Sequence, residues 1–270
     1  MKQAQHADVS QPNLSETDDE RRFGGLARLY GVTGANNIRQ SHVAVIGLGG
    51  VGSWSAEALA RSGVGHLTLI DMDHIAESNI NRQIHALTAT TGQSKVLAMQ
   101  ARIAQINPAC RVDVVDDFVT PENWPFLMSD VPDALIDACD QVKAKVALAH
   151  WAIEKGVGFI TVGAAGGKRL AHKVDVDDLS RITHDPLLAQ LRYRLRKYHQ
   201  APRGEHRMGV KGVFSRESVA PPDASCAIDT DGSLNCHGYG SVVSVTATFG
   251  MCAASEILNF LASPDKKPKN

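Results

Sequence analysis

Gly47, Gly49 and Gly52 stand at G-x-G-x-x-G spacing, with Gly50 as an extra glycine among them. Glycines at such a turn let the backbone approach an anion, and the unpaired N–H groups of a following helix point at it. The chemistry is phosphate binding, and a turn that merely packs helix on strand is the alternative. Asp71 comes 19 residues after Gly52, a distance at which a carboxylate can hold ribose hydroxyls. Beyond it lie Met72-Asp73-His74 and then Glu77-Ser78-Asn79-Ile80-Asn81-Arg82-Gln83. Arg82 has the planar fork that fits phosphate oxygens, and Asn79 and Gln83 could fix a ribose or a base; an ordinary polar loop would look the same. Lys95 opens a helical pattern, where acids rather than cations suit the helix dipole. It reads either as an anion ligand or as a solvated side chain. Asp140 closes the apolar run 134–140, which has Asp137 within it. An acid at a strand's end suits Mg²⁺, which takes a few carboxylates together with substrate phosphates.

These side chains need elements that bring them to one place. Residues 43–46 are apolar and read as a buried parallel strand running into the glycines. A helical pattern follows over 53–61, with Trp54, Ala58 and Leu59 on one side, and Gly63 ends it. Strand 66–70 leads to Asp71. Helix 96–106 carries Val96, Met99, Ile103 and Ile106 and stops at Asn107-Pro108. Strand 111–115, a loop with a short helix over 120–130, strand 134–140, helix 143–154 and strand 158–163 complete an alternation. That alternation predicts an α/β, Rossmann-like, mainly parallel sheet with helices on both faces. After Gly166-Gly167 the pattern changes. Residues 170–176 alternate as an antiparallel or edge strand, 179–185 lead to a cap before Pro186, and 187–198 form a helix with Leu188, Leu191 and Leu195 inward. A short strand over 211–214, a loop over 215–234 and an apolar helix over 240–261 follow. The expected organisation is a disordered tail (1–20), one unit (21–262, Rossmann part about 41–163, basic and antiparallel extension about 164–262) and a second tail (263–270).

At 270 residues, 43% apolar and 21% charged, the chain has the composition of a soluble globular protein with a sizeable core. Its net charge of −1 is unevenly placed. Between 192 and 216 stand eight Lys or Arg and one acid, Glu205, with Tyr193, Tyr198, His199 and His206 interleaved. Arg192, Arg194, Arg196, Lys197, Arg203, Arg207 and Lys211 are therefore candidate contacts to a nucleic-acid backbone, a solvated helix face being the alternative. The five cysteines, Cys110, Cys139, Cys226, Cys236 and Cys252, form no C-x-x-C pair. An odd count without a secretion signal points to reduced thiols in the cytoplasm. Cys236, beside His237 and Gly238, is the candidate reactive thiol; Cys226 lacks zinc spacing to it, and Cys139 reads as a core thiol. Residues 232–255 carry no Asp, Glu, Lys or Arg. That is long enough to span a bilayer, so membrane association through 240–261 is the alternative to a buried helix. Arginines with Phe23, Leu26, Leu29 and Tyr30 over 21–31 read as a short helix docking on the domain or a partner, or as a solvated basic turn.

The order of the motifs is more specific than any one of them. Gly47-x-Gly49-Gly50-x-Gly52, Asp71-Met72-Asp73, Ser78-Asn79-x-Asn81-Arg82-Gln83, Gly92-x-x-Lys95 and Asp137-x-x-Asp140 resemble the ubiquitin-activating-enzyme superfamily, which includes bacterial adenylating enzymes for molybdopterin and thiamin sulfur carriers. The resemblance implies ATP, Mg²⁺ and activation of a carboxylate as an acyl-adenylate. By the same resemblance Gly47, Gly49, Gly50 and Gly52 cradle the phosphates and Asp71 holds the ribose. Asp73, Asn79, Arg82, Gln83 and Lys95 join the nucleotide site, and Asp140 handles Mg²⁺ and the reacting phosphate. Arg82, Lys95 and Asp140 would be the catalytic set.

Arg22-Phe23-Gly24-Gly25-x-x-Arg28-Leu29-Tyr30-Gly31, the basic segment, Val213-Phe214-Ser215-x-Glu217 and Leu234-Asn235-Cys236 resemble one branch, the tRNA threonylcarbamoyladenosine dehydratases, over about 21–261. Two departures separate the chain from the sulfur-carrier activators: it lacks their C-x-x-C zinc pairs, and Gly25 stands where they carry an arginine. Arg21, Arg22 or Arg28 would have to substitute. The implied reaction is ATP-dependent dehydration of a threonylcarbamoylated adenosine beside the tRNA anticodon. Ring closure needs no protein nucleophile, so Cys236 as a covalent carrier is optional. Implied partners are tRNA, a second copy of the chain, and a cysteine desulfurase or its sulfur acceptor; a monovalent cation, Na⁺ or K⁺, near the late loops is an open expectation. The competing readings are an adenylyltransferase for a ubiquitin-like sulfur carrier, a nucleotide-binding scaffold in a sulfur relay, and a nicotinamide oxidoreductase.

Overall fold

The computed structural model describes residues 19–204, 206–221, 223 and 239–263. Seven strands form one sheet: β1 (His42–Ile46), β2 (His66–Ile70), β3 (Arg111–Val115), β4 (Ala134–Asp137), β5 (Gly158–Val162), β6 (Val174–Asp178) and β7 (Lys211–Ser215). Their order is β3-β2-β1-β4-β5-β7-β6. All neighbours are parallel except β6 and β7, which pair antiparallel at the edge. The expected Rossmann-like sheet with an antiparallel extension is what forms, and both parts share the one sheet.

The alternation of the strands sorts the core into two layers. Val43, Val45, Leu67, Leu69 and Ile136 face one side, packing with α1 (Asp19–Arg39), α2 (Gly52–Arg61), α3 (Lys95–Ile106) and α6 (Val243–Ala262). Ala44, Ile46, Ile70 and Leu135 face the other, against Trp124 and α4 (Val142–Lys155). A helix α5 (Pro186–Tyr198) packs beside α4 through Leu188, Leu191 and Leu195, and Asp185 caps it by accepting the Leu188 N–H at 2.9 Å. Strands covered on both faces bury every position, which is why they read as apolar runs rather than alternations.

Several boundaries differ from the sequence expectation. The N-terminal helical segment 19–39 breaks at Gly31 (φ 73°), so the short helix expected over 21–31 forms and a second helical piece continues it to Arg39. It docks on the chain itself: Phe23 is buried, and Arg22 Nη1 donates to the Ile106 carbonyl at 2.6 Å, satisfying the C-terminal end of α3. The predicted strand 170–176 begins only at Val174, after a 3₁₀ turn over Ala171–Lys173. Residues 121–127 form turns and no helix. The strand predicted over 134–140 ends at Asp137. The apolar helix begins at Val243 rather than 240. It is long and apolar enough to cross a membrane, yet here it is a core helix. Gly250 lies so close to α2 that a Cβ would sit 2.6 Å from the Val51 carbonyl oxygen, and Ser55 Oγ donates to the Gly250 carbonyl at 3.1 Å.

Candidate functional site

β1 is hydrogen-bonded to β2 on one side and β4 on the other, so the crossovers leave it in opposite directions. Open α/β sheets bind ligands outside the strand carboxyl ends at that switch point, and the glycine turn leaves β1 there. Its glycines have different duties. A Cβ on Gly52 would lie 1.8 Å from the Gly47 carbonyl oxygen, so turn closure itself forbids a side chain. Gly47 (φ 84°) presses on the Ala138 carbonyl beyond β4. Gly49 meets nothing within 4 Å; its missing side chain leaves open space rather than relieving a clash. Gly50 has a side chain, not backbone, against it. It lets the Arg82 side chain cross, with Arg82 Cγ and Cδ at 3.2 and 3.3 Å from a Cβ there. Gly47 and Leu48 spend their N–H groups on the Ile70 carbonyl and Asp71, but α2 starts from Val51 with no side-chain cap, so the N–H groups at its start can face an anion.

Asp71 organises the acidic side. One oxygen accepts the Leu48 N–H at 2.6 Å and the other the Asp73 N–H at 2.8 Å. The carboxylate therefore tethers the glycine turn to the end of β2, beyond the ribose role expected for it. Burial pushes its pKa up, and the Lys95 ammonium pulls it partly back. Lys95 is the first residue of α3 and is buried. Its Nζ lies 2.6 Å from Asp73 Oδ2 and 3.9 Å from Asp71 Oδ1, so it is not a solvated lysine. Arg82 Nη1 donates to the Ser78 carbonyl at 2.7 Å and Asn81 Oδ1 at 2.9 Å, and Trp54 Nε1 donates to the Arg82 carbonyl at 2.9 Å. Asn79 is buried, its Oδ1 accepting the Ala76 N–H at 3.0 Å. Gln83 is buried with Oε1 lacking any partner among the described residues. An orphaned acceptor and an open glycine cradle fit a nucleotide that brings donors and phosphates. Asp140 is exposed three residues beyond β4.

The basic residues over 192–211 differ in what they already hold. Arg192 Nη1 donates to the Leu179 and Ile182 carbonyls, Arg196 to Pro202 and Gly204, and Lys211 pairs with Glu256 at 2.6 Å. Arg192 and Arg196 thus brace the chain around α5, Lys211 is 62% exposed in a surface ion pair, Lys197, Arg203 and Arg207 are exposed, and Arg194 is half-exposed. Cys226 and Cys236 lie outside the described residues, so the candidate nucleophile has no structural description. Cys110, Cys139 and Cys252 are free thiols; burial pushes Cys110 up to about 12 and Cys139 well above its usual range.

Two features had no sequence signal beyond their letters. Lys145 and Asp137 are both fully buried, with Nζ 3.1 Å from Asp137 Oδ2, 3.0 Å from Thr161 Oγ1 and 2.8 Å from the Val162 carbonyl. This cluster fastens α4 under the strand ends from which Asp140 projects. His85 is buried with neither ring nitrogen partnered among the described residues, and burial lowers its pKa to about 4. It lines a cavity of about 750 Å³ between α1, α2 and α3, with Arg22 and Arg102.

Fold and site together define a Rossmann-type nucleotide-binding protein with cations and acids gathered at the phosphate turn. The chain belongs to the ThiF family, whose model matches residues 24–270, and within it to the tRNA threonylcarbamoyladenosine dehydratases. It is similar to the tRNA threonylcarbamoyladenosine dehydratase of Haemophilus influenzae, 42% identical over 90% of this chain and 94% of that protein. The Escherichia coli protein of the same name is 44% identical over 88% and 92%. The crystal structure of the E. coli tRNA N6-threonylcarbamoyladenosine dehydratase in complex with ATP superposes with a TM-score of 0.81 at 43% identity, covering 90% of this chain and 94% of that one.

Proposed function

We propose that this protein uses ATP to dehydrate N6-threonylcarbamoyladenosine next to the anticodon of tRNA. One observation carries the reading. The glycine turn, Asp71, the 79–83 run, Lys95 and the Asp140 segment converge on a single strand-end crevice in a chain alike end to end to enzymes of that name. The threonine carboxylate is a poor electrophile. Its oxygen attacks the α-phosphate of ATP, pyrophosphate leaves, and a carboxyl-adenylate forms. A nitrogen or oxygen of the same modification then attacks the activated carbonyl, the ring closes and AMP leaves. The net change in the nucleoside is loss of one water.

The chain's residues position and neutralise. The N–H groups of the glycine turn hold phosphates, and Asp71 and Asn79 face the ribose. Arg82 and Lys95 exchange their present oxygen partners for phosphate oxygens and offset the charge that builds there, and such electrostatic stabilisation lowers the barrier to phosphoryl and adenylyl transfer more than any other effect. Asp140 and Asp73 are the carboxylates available to Mg²⁺, which prefers one or two acids plus substrate phosphates. Ring closure is intramolecular, so orientation does most of that step; a covalent role for Cys236 is not needed. Arg194, Lys197, Arg203 and Arg207 bind the tRNA backbone.

The same reading has the chain acting in the cytoplasm as one unit over 21–262 and as a homodimer. Leu29 and Val32, 73% and 70% exposed on α1, support a surface for a second copy. Association with a cysteine desulfurase or its sulfur acceptor, and use of Na⁺ or K⁺, rest on the family alone. Carrier activation is disfavoured by the basic surface and the missing C-x-x-C pairs.

The test is mass spectrometry of nucleosides from threonylcarbamoylated tRNA incubated with the protein, ATP and Mg²⁺, with mild work-up. A product lighter by one water, absent without ATP and absent with Arg82→Ala, is expected. An unchanged nucleoside with ATP binding intact would move the assignment to a carrier-activating or scaffold protein.

A further inference from the structure

α4 and α5 enclose a groove of about 410 Å³ on the sheet face opposite α2, within the roughly 300–1,000 Å³ typical of small-ligand sites. Its walls are aromatic. Trp124 and Trp151 meet edge to face at 5.1 Å, His150 and His199 lie 4.1 Å apart, and Tyr198 stands 61% exposed at the rim. The Trp124 side chain is buried and its indole N–H has no acceptor among the described residues. A buried donor without an acceptor is costly, and this one lies beneath the groove surface. Two cations, Lys143 and Arg194, line the groove, and one acid, Glu154, lies 3.4 Å from His150 Nε2. Lys197 Nζ sits 5.1 Å over the Tyr198 ring. Lys143 stands near the start of α4, three residues after Asp140, and His150 and Glu154 lie farther along that helix.

Aromatic faces flanked by cations are what single-stranded nucleic acid stacks and pairs its charges on. We propose that this groove is a second nucleotide subsite, taking one unstacked base of the tRNA, flanking the modified one, against Tyr198 and the histidine pair, with its phosphate on Arg194 and Lys143. The inference rests on tRNA being the substrate and adds where the neighbouring nucleotide is held.

The test compares wild type, Tyr198→Ala, Tyr198→Phe and Arg194→Ala in two assays. One is binding of a short labelled oligoadenylate; the other is steady-state dehydration of threonylcarbamoylated tRNA. Tyr198→Ala is expected to weaken oligoadenylate binding and raise the KM for tRNA roughly five- to hundredfold, with kcat and the KM for ATP unchanged. Tyr198→Phe, which keeps the ring, restores both. Arg194→Ala weakens binding in a manner that high salt erases. Wild-type oligoadenylate affinity and tRNA KM in Tyr198→Ala overturn the subsite. Loss in Arg194→Ala alone reduces it to a charged surface and overturns the base-stacking assignment as well. Absence of any dehydration by wild type, with Tyr198-dependent oligoadenylate binding retained, would refute the reaction and leave the subsite standing.

Discussion

At the scale of single residues, Lys95 and His85 illustrate opposite uses of burial. Lys95 is held among carboxylates, and a phosphate arriving at the turn competes for the same ammonium. Lys95→Met removes that donor and leaves Asp71 and Asp73 facing each other. Dehydration is expected to slow by about a hundredfold or more, read as single-turnover rate at saturating ATP. His85 concerns stability instead. Its folded pKa, about 4, lies below the ordinary 6.5, so the unfolded chain takes up a proton that the folded chain refuses. Stability is therefore complete above about pH 6.5 and is lost as pH falls toward 4, by on the order of 3 kcal/mol. His85→Leu should flatten that window in urea titrations between pH 7 and 4.5. An unaltered pH slope would show that His85 is not held neutral. Spacing marked Lys95 as a candidate phosphate ligand, while nothing in the sequence marked His85. The motif put Lys95 at a helix start, but only the fold set Asp73 beside it, and His85 was one polar letter between Ile84 and Ala86.

At the scale of the element, the glycine turn separates folding from binding. Gly52→Ala places a Cβ on the Gly47 carbonyl, a clash with backbone that no rotamer relieves. It should cost several kcal/mol of stability together with ATP affinity. Gly49→Ala puts a methyl in open space, so the melting temperature stays within about 2 °C while ATP affinity falls tenfold or more. Calorimetry of the two variants, with and without ATP, distinguishes them; a destabilised Gly49→Ala would refute the division. A related argument applies to α4. Lys145→Met strips a fully buried Asp137 of its partner, which is expected to cost about 3–5 kcal/mol. The turn itself was plain in the sequence because glycines cluster only where backbone must come close. The Asp137–Lys145 pair was hidden because an acid within an apolar run has no visible partner until β4 and α4 are packed.

At the scale of the whole molecule, charge decides the interaction with tRNA. Formal net charge is −1, so attraction must come from a local patch, in which Arg192 and Arg196 already donate to backbone carbonyls and Lys211 pairs with Glu256 at the surface. Arg203 and Arg207 remain exposed. Replacing both with Gln should reduce the slope of log affinity against log salt by about 1 for each phosphate left without its cation, measured by filter binding from low to physiological salt. Arg192→Gln should change stability more than that slope, because Arg192 satisfies the Leu179 and Ile182 carbonyls. The apolar helix follows the same logic: an uncharged stretch of membrane length is here covered by α2, the strands and α1.

The sequence alone determined the sheet, the phosphate turn and the order of the site motifs. Each is written in local terms: apolar runs between turns, glycine at fixed spacing, and acids just past strand ends. Tertiary structure decided which side chains meet. It set Lys95 against Asp73, laid Arg82 across Gly50, sealed Lys145 on Asp137 and turned Arg192 onto the Leu179 and Ile182 carbonyls. It also closed an aromatic groove from Trp124, on the loop after β3, and from α4 and α5. Such encounters join residues far apart in the chain, and their energy comes from burial and desolvation, which no window of neighbouring letters encodes.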